Sequence, residues 1–307
     1  MSDYVTVTPD AELEKDLRAL VQLSKAEDLR GEVDWTTVCL IGESVRGACQ
    51  VVPRQAGVCA GLVTVPWIVE EFDGDLEVEL LGKDGDELVP KQPIVNLRGN
   101  VRDLLTVERT ILNILSRLCG VATQTASYAK AISGYKSRLY DTRKTTPGWR
   151  LLEKYSVACG GGNNHRRGLY DGFLIKDNHL ALGGTDDAPT PASDAAERAI
   201  QWRGKTKDAM TAPAIVEIEV DSLDQLKDVL PTGPDIVLVD NFTLKMLADA
   251  VQLRDRLNPK VELEASGNVK IDTIEAIAKT GVDRISSGAL THQATWLDLG
   301  LDWLDCE

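Results

Sequence analysis

From Leu139 onward this 307-residue chain repeats one pattern, and that pattern restricts its fold more than any other feature. Short apolar runs of strand character alternate with helical segments at intervals of roughly 20 to 40 residues, the rhythm of βα units. Six runs share one design: RLYDTRKT, FLIKDNH, IVEIEVDS, DIVLVDNF, VELEASGN and RISSGA. Each is apolar at its start and polar at its C-terminal end. Helical spacing places helices over Pro147–Cys159, Leu223–Leu230, Leu244–Leu257 and Ile271–Lys279, the first with Thr146 as cap and Pro147 at its first position. The expected fold class is α/β, a parallel barrel with its site at the C-terminal rim of the strands. An open doubly wound sheet is the competing architecture, but no GxGxxG follows the first strand. The segment from Gly183 to Pro213 reads as a surface excursion holding a short helical pattern.

Upstream the rhythm differs. Between about Thr36 and Leu97, GACQVV, GVCAGLVTV and LEVELLG read as strands and KDGDEL as a turn, together a small sheet-rich unit. A helix is expected over Val101–Cys119, with Leu104, Val107, Ile111, Ile114, Leu115 and Leu118 as its apolar stripe. Arg109 lies off that stripe and points either to solvent or into a neighbouring subunit.

Composition excludes several function classes. With 43% hydrophobic and 27% charged residues the chain is that of a globular protein, and its apolar runs are too short to span a bilayer. The acidic start MSDYVTVTPDAELEKD is not a secretory signal. Six scattered cysteines without a CxxC pair suit reduced thiols and a cytoplasmic location. None of the three histidines has zinc-ligand spacing to a cysteine. A net charge of −14 argues against nucleic acid as a partner.

Against that background one segment stands out. Between Arg138 and Asp177 eight basic residues face four acids, a local charge of +4. The polar strand ends fall into three types. Arg143, Lys144, His165, Arg166 and Lys176 are cationic and suit a substrate with several anionic groups, each charge-assisted bond contributing about 1.5–3 kcal/mol. Glu217 with Glu219, and Glu262 with Glu264, share a strand face, and Asp240 ends the strand between them. Such acids can hold a divalent cation, bond ribose hydroxyls, stabilise a developing cation, or pair internally with the basic set. The turns Ser266-Gly267-Asn268 and Ser286-Ser287-Gly288 let backbone N–H groups approach a phosphate, at the strand ends where barrels recurrently bind one. The residues thus point to two substrates, one with carboxylates and one with phosphate and Mg²⁺.

The run DTRKTTPGWRLLEKYSVACGGGNNHRRGLYDGFLIKDNH resembles the central signature of the quinolinate phosphoribosyltransferases. VERTILNILSRLCGVATQT, VEIEVDS, VLVDNF, LEASGNV and RISSGALTH support the likeness, and RQAGVCAGL extends it more weakly. The resemblance implies an N-terminal α/β sandwich (1–119, with 290–307 packing back) joined to an incomplete α/β barrel (120–289). It implies phosphoribosyl transfer from 5-phosphoribosyl 1-pyrophosphate to quinolinate, with decarboxylation, giving nicotinate mononucleotide, CO₂ and pyrophosphate. Arg143, His165, Arg166 and Lys176 would grip the carboxylates, with Thr142 beside them and Arg109 arriving from the partner of a homodimer or higher homo-oligomer. Lys144 would meet the donor's pyrophosphate. Glu219 and Asp240 would serve the ribose and Mg²⁺, and the two glycine turns the 5-phosphate. The chain departs from the family pattern at EDLRGEVDWTT, where a tighter Gly-Asp-(Val/Ile)-Thr segment is usual, and at Cys119, where serine is common.

Two other readings fit part of this pattern. One is a phosphoribosyltransferase-like protein of molybdate systems, separated by whether quinolinate is the acceptor. The other is a barrel lyase using Lys144 or Lys176 as a Schiff base, which borohydride trapping would reveal.

Overall fold

A computed structural model of the chain describes residues 3–184, 188–206 and 214–304. Its first half runs α1 (Ala11–Leu29), α2 (Trp35–Leu40), β1 (Arg46–Pro53), β2 (Gly57–Val58), α3 (Val65–Glu71), β3 (Leu76–Leu80), β4 (Glu87–Leu88), β5 (Val95–Asn100), α4 (Val101–Ala131), β6 (Arg138–Tyr140) and α5 (Arg150–Cys159). The second half runs β7 (Gly172–Ile175), α6 (Asp177–Leu182), α7 (Ala192–Thr206), β8 (Ile215–Val220), α8 (Leu223–Val229), β9 (Ile236–Asp240), α9 (Leu244–Leu257), β10 (Glu262–Ser266), α10 (Ile274–Lys279), β11 (Arg284–Ser286), α11 (Ala289–His292) and β12 (Leu299–Trp303). Packing divides these residues into two compact units.

The first unit takes residues 7–126, 145–161 and 290–304. Its antiparallel sheet has the order β12-β1-β5-β3, and the C-terminal strand pairs with β1 from Cys49↔Trp303 to Pro53↔Leu299. The Asp10 carboxylate accepts the N–H groups of Glu12 and Leu13 and so starts α1, which buries Leu13, Leu17 and Val21 at helical spacing. These pack into one core with Leu97 of β5 and with Leu104, Ile111, Leu115 and Leu118 of α4. Each such side chain contributes about 1.5–3 kcal/mol on burial.

Several sequence expectations are corrected here. The run GVCAGLVTV is strand only at Gly57–Val58. It then turns at Gly61 (φ +97°) into a short 3-10 turn and α3. Its apolar character reflects burial all round, with Cys59, Ala60, Leu62 and Val65 inside the core, not strand pairing. The α4 helix continues to Ala131, beyond the expected end at Cys119. Gly120 is no stop signal: a Cβ there would lie 2.2 Å from the Thr295 carbonyl oxygen, so the glycine permits a close approach within the helix. The helix expected from Pro147 begins at Arg150, and Thr146 does not cap it. The Thr146 hydroxyl instead donates to Glu153 (2.8 Å), a buried carboxylate that also receives the Arg117 guanidinium (2.5 Å). Residues 145–161 pack within the first unit. Likewise α10 starts at Ile274, three residues later than expected.

The second unit takes residues 3–6, 127–144 and 162–289 of those described. Its six strands are all parallel, in the order β6-β11-β10-β9-β8-β7. Register explains the alternation in the sequence. Val216, Ile218, Val237, Val239, Leu263, Ala265 and Ile285 lie on one face, buried. Glu217, Glu219, Glu262, Glu264, Arg284 and Arg138 share the other face with Lys176 and Asp240. An apolar face for helices and a polar interior is the arrangement of a barrel that houses a site. Two aspartates repeat one device at the strand starts: Asp235 accepts the Val216 N–H (2.7 Å) and pairs with Arg203, and Asp283 accepts the Leu263 N–H (3.0 Å) and pairs with Arg254. Parts of the Gly183–Pro213 excursion, 185–187 and 207–213, lie outside the described residues, as does Cys306. The rest of the excursion carries α7, whose Trp202 meets Phe173 of β7 edge-on at 5.6 Å.

Candidate active site

The candidate site is the strip between the edge strands β6 and β7. Asn163 pairs with β6 as a parallel bridge to Tyr140, its N–H donating to the Leu139 carbonyl (2.8 Å). Two residues on, the buried Asp141 carboxylate accepts the His165 N–H (2.8 Å) and the Asn164 side-chain amide (2.8 Å). The Arg166 Nη1 then donates to the Gly172 carbonyl of β7 (3.1 Å). The motif Asn163-Asn164-His165-Arg166 thus bridges the two edge strands. Asp141, unassigned by sequence reasoning, is its anchor. The signal lay in the DTRK run, where an acid stands just before Thr142 and the two cations Arg143 and Lys144.

Arg166 is buried, and its Nε has no hydrogen-bond partner among the described residues. Burial first, and then the neighbouring Arg143 guanidinium, push the Arg166 guanidinium below its ordinary value. Glu217 and Asp171 offset this only in part. A desolvated arginine beside another arginine is a site that an anion stabilises. Lys176 follows β7 and its ammonium pairs with Glu219 of β8. Thr142 accepts the Lys144 N–H through its hydroxyl (3.1 Å), shaping the turn that presents Arg143 and Lys144.

The acids separate by depth. Glu219 and Asp240 stand at the polar strand ends, half-buried, and Asp240 accepts the Asn241 side-chain amide (2.6 Å). Glu217, Glu262 and Glu264 lie deeper and pair internally. Glu264 accepts Arg284 Nε (3.0 Å), and Glu262 accepts Arg138 (2.5 Å) and Arg284 (3.2 Å). Arg284 is fully buried, with its guanidinium 3.7 Å from the Tyr140 ring centre. Burial raises the Glu264 carboxyl, and Glu217 adds to it. For Glu217 burial also acts upward, but His165, Arg284 and Tyr4 outweigh it and leave that group below its ordinary value.

The His165 ring lies in this deeper layer. Its Nδ1 accepts the Arg166 N–H (2.8 Å), and its Nε2 stands 2.9 Å from Glu217 and 3.6 Å from Glu264. His165, Glu217 and Glu264 form the one described group of side chains close enough to hold a metal ion. The Arg284 cation and the ring's two hydrogen bonds already occupy that group, whereas Glu219 and Asp240 are oxygen donors at the rim.

The two turns differ from each other. Gly267 (φ +96°) lets the chain pass Asn241, whose Oδ1 would be 2.2 Å from a Cβ at this position. Asn241 and Asn268 also hold positive φ, and the Ser266 carbonyl accepts the Asn241 N–H (3.0 Å). These paired left-handed residues after β9 and β10 make a tight rim. In the other turn Ser286 is buried, and the Ser287 hydroxyl donates to the Val269 carbonyl (3.0 Å) and accepts the Ala289 N–H (3.3 Å). Ser287 therefore supports the rim through its side chain, and Gly288 ends the turn before α11. Arg109 lies on α4 with its side chain 64% exposed and only a loose 3.9 Å approach to Glu108.

Comparison with known proteins matches this chain over two domains. Residues 34–119 match the family description "Quinolinate phosphoribosyl transferase, N-terminal domain", and residues 121–302 match "Quinolinate phosphoribosyl transferase, C-terminal domain". The nicotinate-nucleotide pyrophosphorylase (carboxylating) of Mycobacterium leprae is 40% identical over 289 residues, 93% of this chain and 96% of that protein. A probable protein of the same name from Synechocystis is 38% identical over 276 residues, 90% of this chain and 88% of that protein. The solved nicotinate-nucleotide pyrophosphorylase of Francisella tularensis superposes with a TM-score of 0.85 at 36% identity, covering 99% of this chain and all of that one. A polar-lined parallel barrel, a cationic strip between its edge strands and matches over both domains lead to one conclusion: this chain belongs to the quinolinate phosphoribosyltransferase family.

Proposed function

We propose that the cationic strip binds quinolinate through Arg143, Arg166 and Lys176, and that the acidic rim takes 5-phosphoribosyl 1-pyrophosphate. The single observation that carries the reading is Arg166, desolvated beside Arg143 with an orphaned Nε. A dicarboxylate there supplies the missing acceptors and fixes the pyridine nitrogen in line with the anomeric carbon, which is catalysis by positioning. As the nitrogen bonds to that carbon, the bond to pyrophosphate breaks, and Lys144 neutralises the departing charge. Glu219 and Asp240 stabilise the oxocarbenium-like centre between the two events. When quinolinate enters, Lys176 exchanges its bond to Glu219 for a carboxylate, which releases Glu219 toward the ribose. The ring, now a pyridinium, accepts the electron pair of the C–C bond that breaks as CO₂ leaves. The ring carbon then takes a proton and the product is nicotinate mononucleotide. The Ser266–Asn268 turn and the backbone of Ser286–Gly288 receive the 5-phosphate.

Mg²⁺ fits this set, because half-buried carboxylates at a rim suit a cation that completes its shell with phosphate oxygens and water. Glu219 and Asp240 would hold it, and it would supply charge neutralisation at the leaving pyrophosphate. Arg109, exposed on α4, is suited to enter the site of a second copy, so the working form is a homodimer or larger. No described helix is long and apolar enough to cross a membrane, and the described cysteines are free thiols, which suits a reducing cytoplasm.

Titration calorimetry with quinolinate tests the clamp. Arg143→Ala and Arg166→Ala should each weaken binding roughly 10- to 150-fold, the loss of one charge-assisted hydrogen bond of about 1.5–3 kcal/mol. Unchanged affinity in both would reject it.

A further inference from the structure

The His165 ring has a more specific role than a carboxylate donor. Its Nδ1 accepts the Arg166 N–H at 2.8 Å, so that nitrogen carries no proton. Its Nε2 therefore carries the proton and faces Glu217 Oε2 at 2.9 Å. Tyr4 closes the remaining side. Its ring stacks on the imidazole with centroids 4.6 Å apart and planes at 28°, and its hydroxyl donates to the same Glu217 oxygen at 3.0 Å. Tyr4 is itself buried, and the next residue upstream, Asp3, binds Arg138 (2.6 Å), Tyr140 (2.7 Å) and Arg284 (3.2 Å). Asp3 and Tyr4 are thus built into the polar interior of the barrel.

We propose that Tyr4 and Glu217 are positioning residues for quinolinate capture: they hold His165 in its Nε2–H form, and its Nδ1 fixes the main chain of Arg166. Neither touches the substrate. A carboxylate that accepts Nε2–H selects one tautomer, as the outer partners of histidine ligands do in metal sites. The selected tautomer leaves Nδ1 as an acceptor, and only an acceptor there can hold the Arg166 N–H. The stacked Tyr4 ring removes the other freedom, rotation of the imidazole out of the plane that joins these partners. Among the described residues the one acceptor for the Arg166 side chain is the Gly172 carbonyl, so its aim depends on where its backbone is fixed. The proposal rests on the reading of Arg166 as a carboxylate ligand.

The experiment pairs a spectroscopic and a kinetic readout on the full chain. Long-range ¹H–¹⁵N spectra of ¹⁵N-labelled protein report the protonation of each ring nitrogen, with His165 assigned against His165→Asn. Wild type should show the Nε2–H form with an unprotonated Nδ1. Glu217→Leu should mix the two tautomers and raise the quinolinate KM about tenfold or more while kcat changes less than about threefold, the share of one hydrogen bond acting on binding. Glu217→Gln, whose amide oxygen still accepts Nε2–H, should restore both readouts. Tyr4→Ala, a second variant that leaves Glu217 in place, should raise the same KM. Tyr4→Phe, which keeps the stack, should not. A wild-type spectrum with the proton on Nδ1, or tautomer mixing that leaves the quinolinate KM unchanged, would overturn the proposal. Wild-type protein that never binds quinolinate would instead overturn the assignment of the clamp, and the tautomer spectra would still decide the role of Glu217.

Discussion

Replacing Arg284 with methionine tests the claim that charge balance holds the barrel interior together. The guanidinium is fully buried and meets three acids: Glu264 at 3.0 Å, Glu262 at 3.2 Å and Asp3 at 3.2 Å. Methionine keeps much of the volume but leaves these carboxylates without their shared cation. Removing one partner of a buried ion pair costs about 3–5 kcal/mol, and loss of the stack on Tyr140 adds to it, about 0.5–2 kcal/mol. Whole-domain stabilities run about 5–15 kcal/mol, so the variant should lose a large part of its stability at pH 7 in urea denaturation. The loss should also depend on pH. Burial and Glu217 already raise the Glu264 carboxyl, and without Arg284 it rises further. A carboxyl raised in the folded state adds stability that is full below its unfolded value and lost as pH climbs through the folded one. The deficit of Arg284→Met should therefore shrink on going from pH 7 to pH 5, and adding Glu264→Gln should recover part of it at pH 7. A loss below about 1 kcal/mol, far short of the buried-pair range, or one independent of pH, would refute the reasoning.

Three further outcomes follow from the same geometry. Gly267→Ala places a Cβ at φ +96° and 2.2 Å from Asn241 Oδ1, so it should cost about 1–3 kcal/mol and raise the KM for the ribosyl donor more than that for quinolinate. Asp283 sits below its ordinary 3.8: burial opposes this, while the Leu263 N–H and Arg254 outweigh burial. Its contribution is present above that unfolded value and lost as pH falls through the lower folded one, so Asp283→Asn should be less stable than wild type at pH 7 by denaturation, with the difference shrinking as the solution is acidified below that unfolded value. Arg109→Ala should be inactive alone and regain activity when mixed with Lys144→Ala, if Arg109 serves a partner's site. Mixed dimers without activity would exclude that sharing.

Much of the barrel was legible because its strands alternate: Glu217 and Glu219 interleave with Val216, Ile218 and Val220, so face and period were visible in six letters. The same alternation did not separate depth. Glu219 and Asp240 at the rim and Glu217, Glu262 and Glu264 in the interior share one chemistry in the sequence, and only register and curvature decide which acid meets Arg284. Asp3 and Tyr4 could not be placed, since a terminal Asp-Tyr pair has no periodicity and its partners lie more than a hundred residues away. The α1 helix carried a cap and spaced leucines, yet its exposed charges masked a stripe of only Leu13, Leu17 and Val21. Thr146 misled because Thr-Pro is a sound helix start. The buried Glu153 captured that hydroxyl instead, a contact seven residues away that local rules do not weigh.

The most direct measurement of the central claim is the acceptor test with purified protein, 5-phosphoribosyl 1-pyrophosphate and Mg²⁺, following CO₂ and pyrophosphate together. A clamp built for two carboxylates predicts that quinolinate yields both products in equal amounts, and that nicotinate, which lacks the second carboxylate, yields little of either. Equal turnover of nicotinate, or pyrophosphate release from quinolinate without CO₂, would contradict the account.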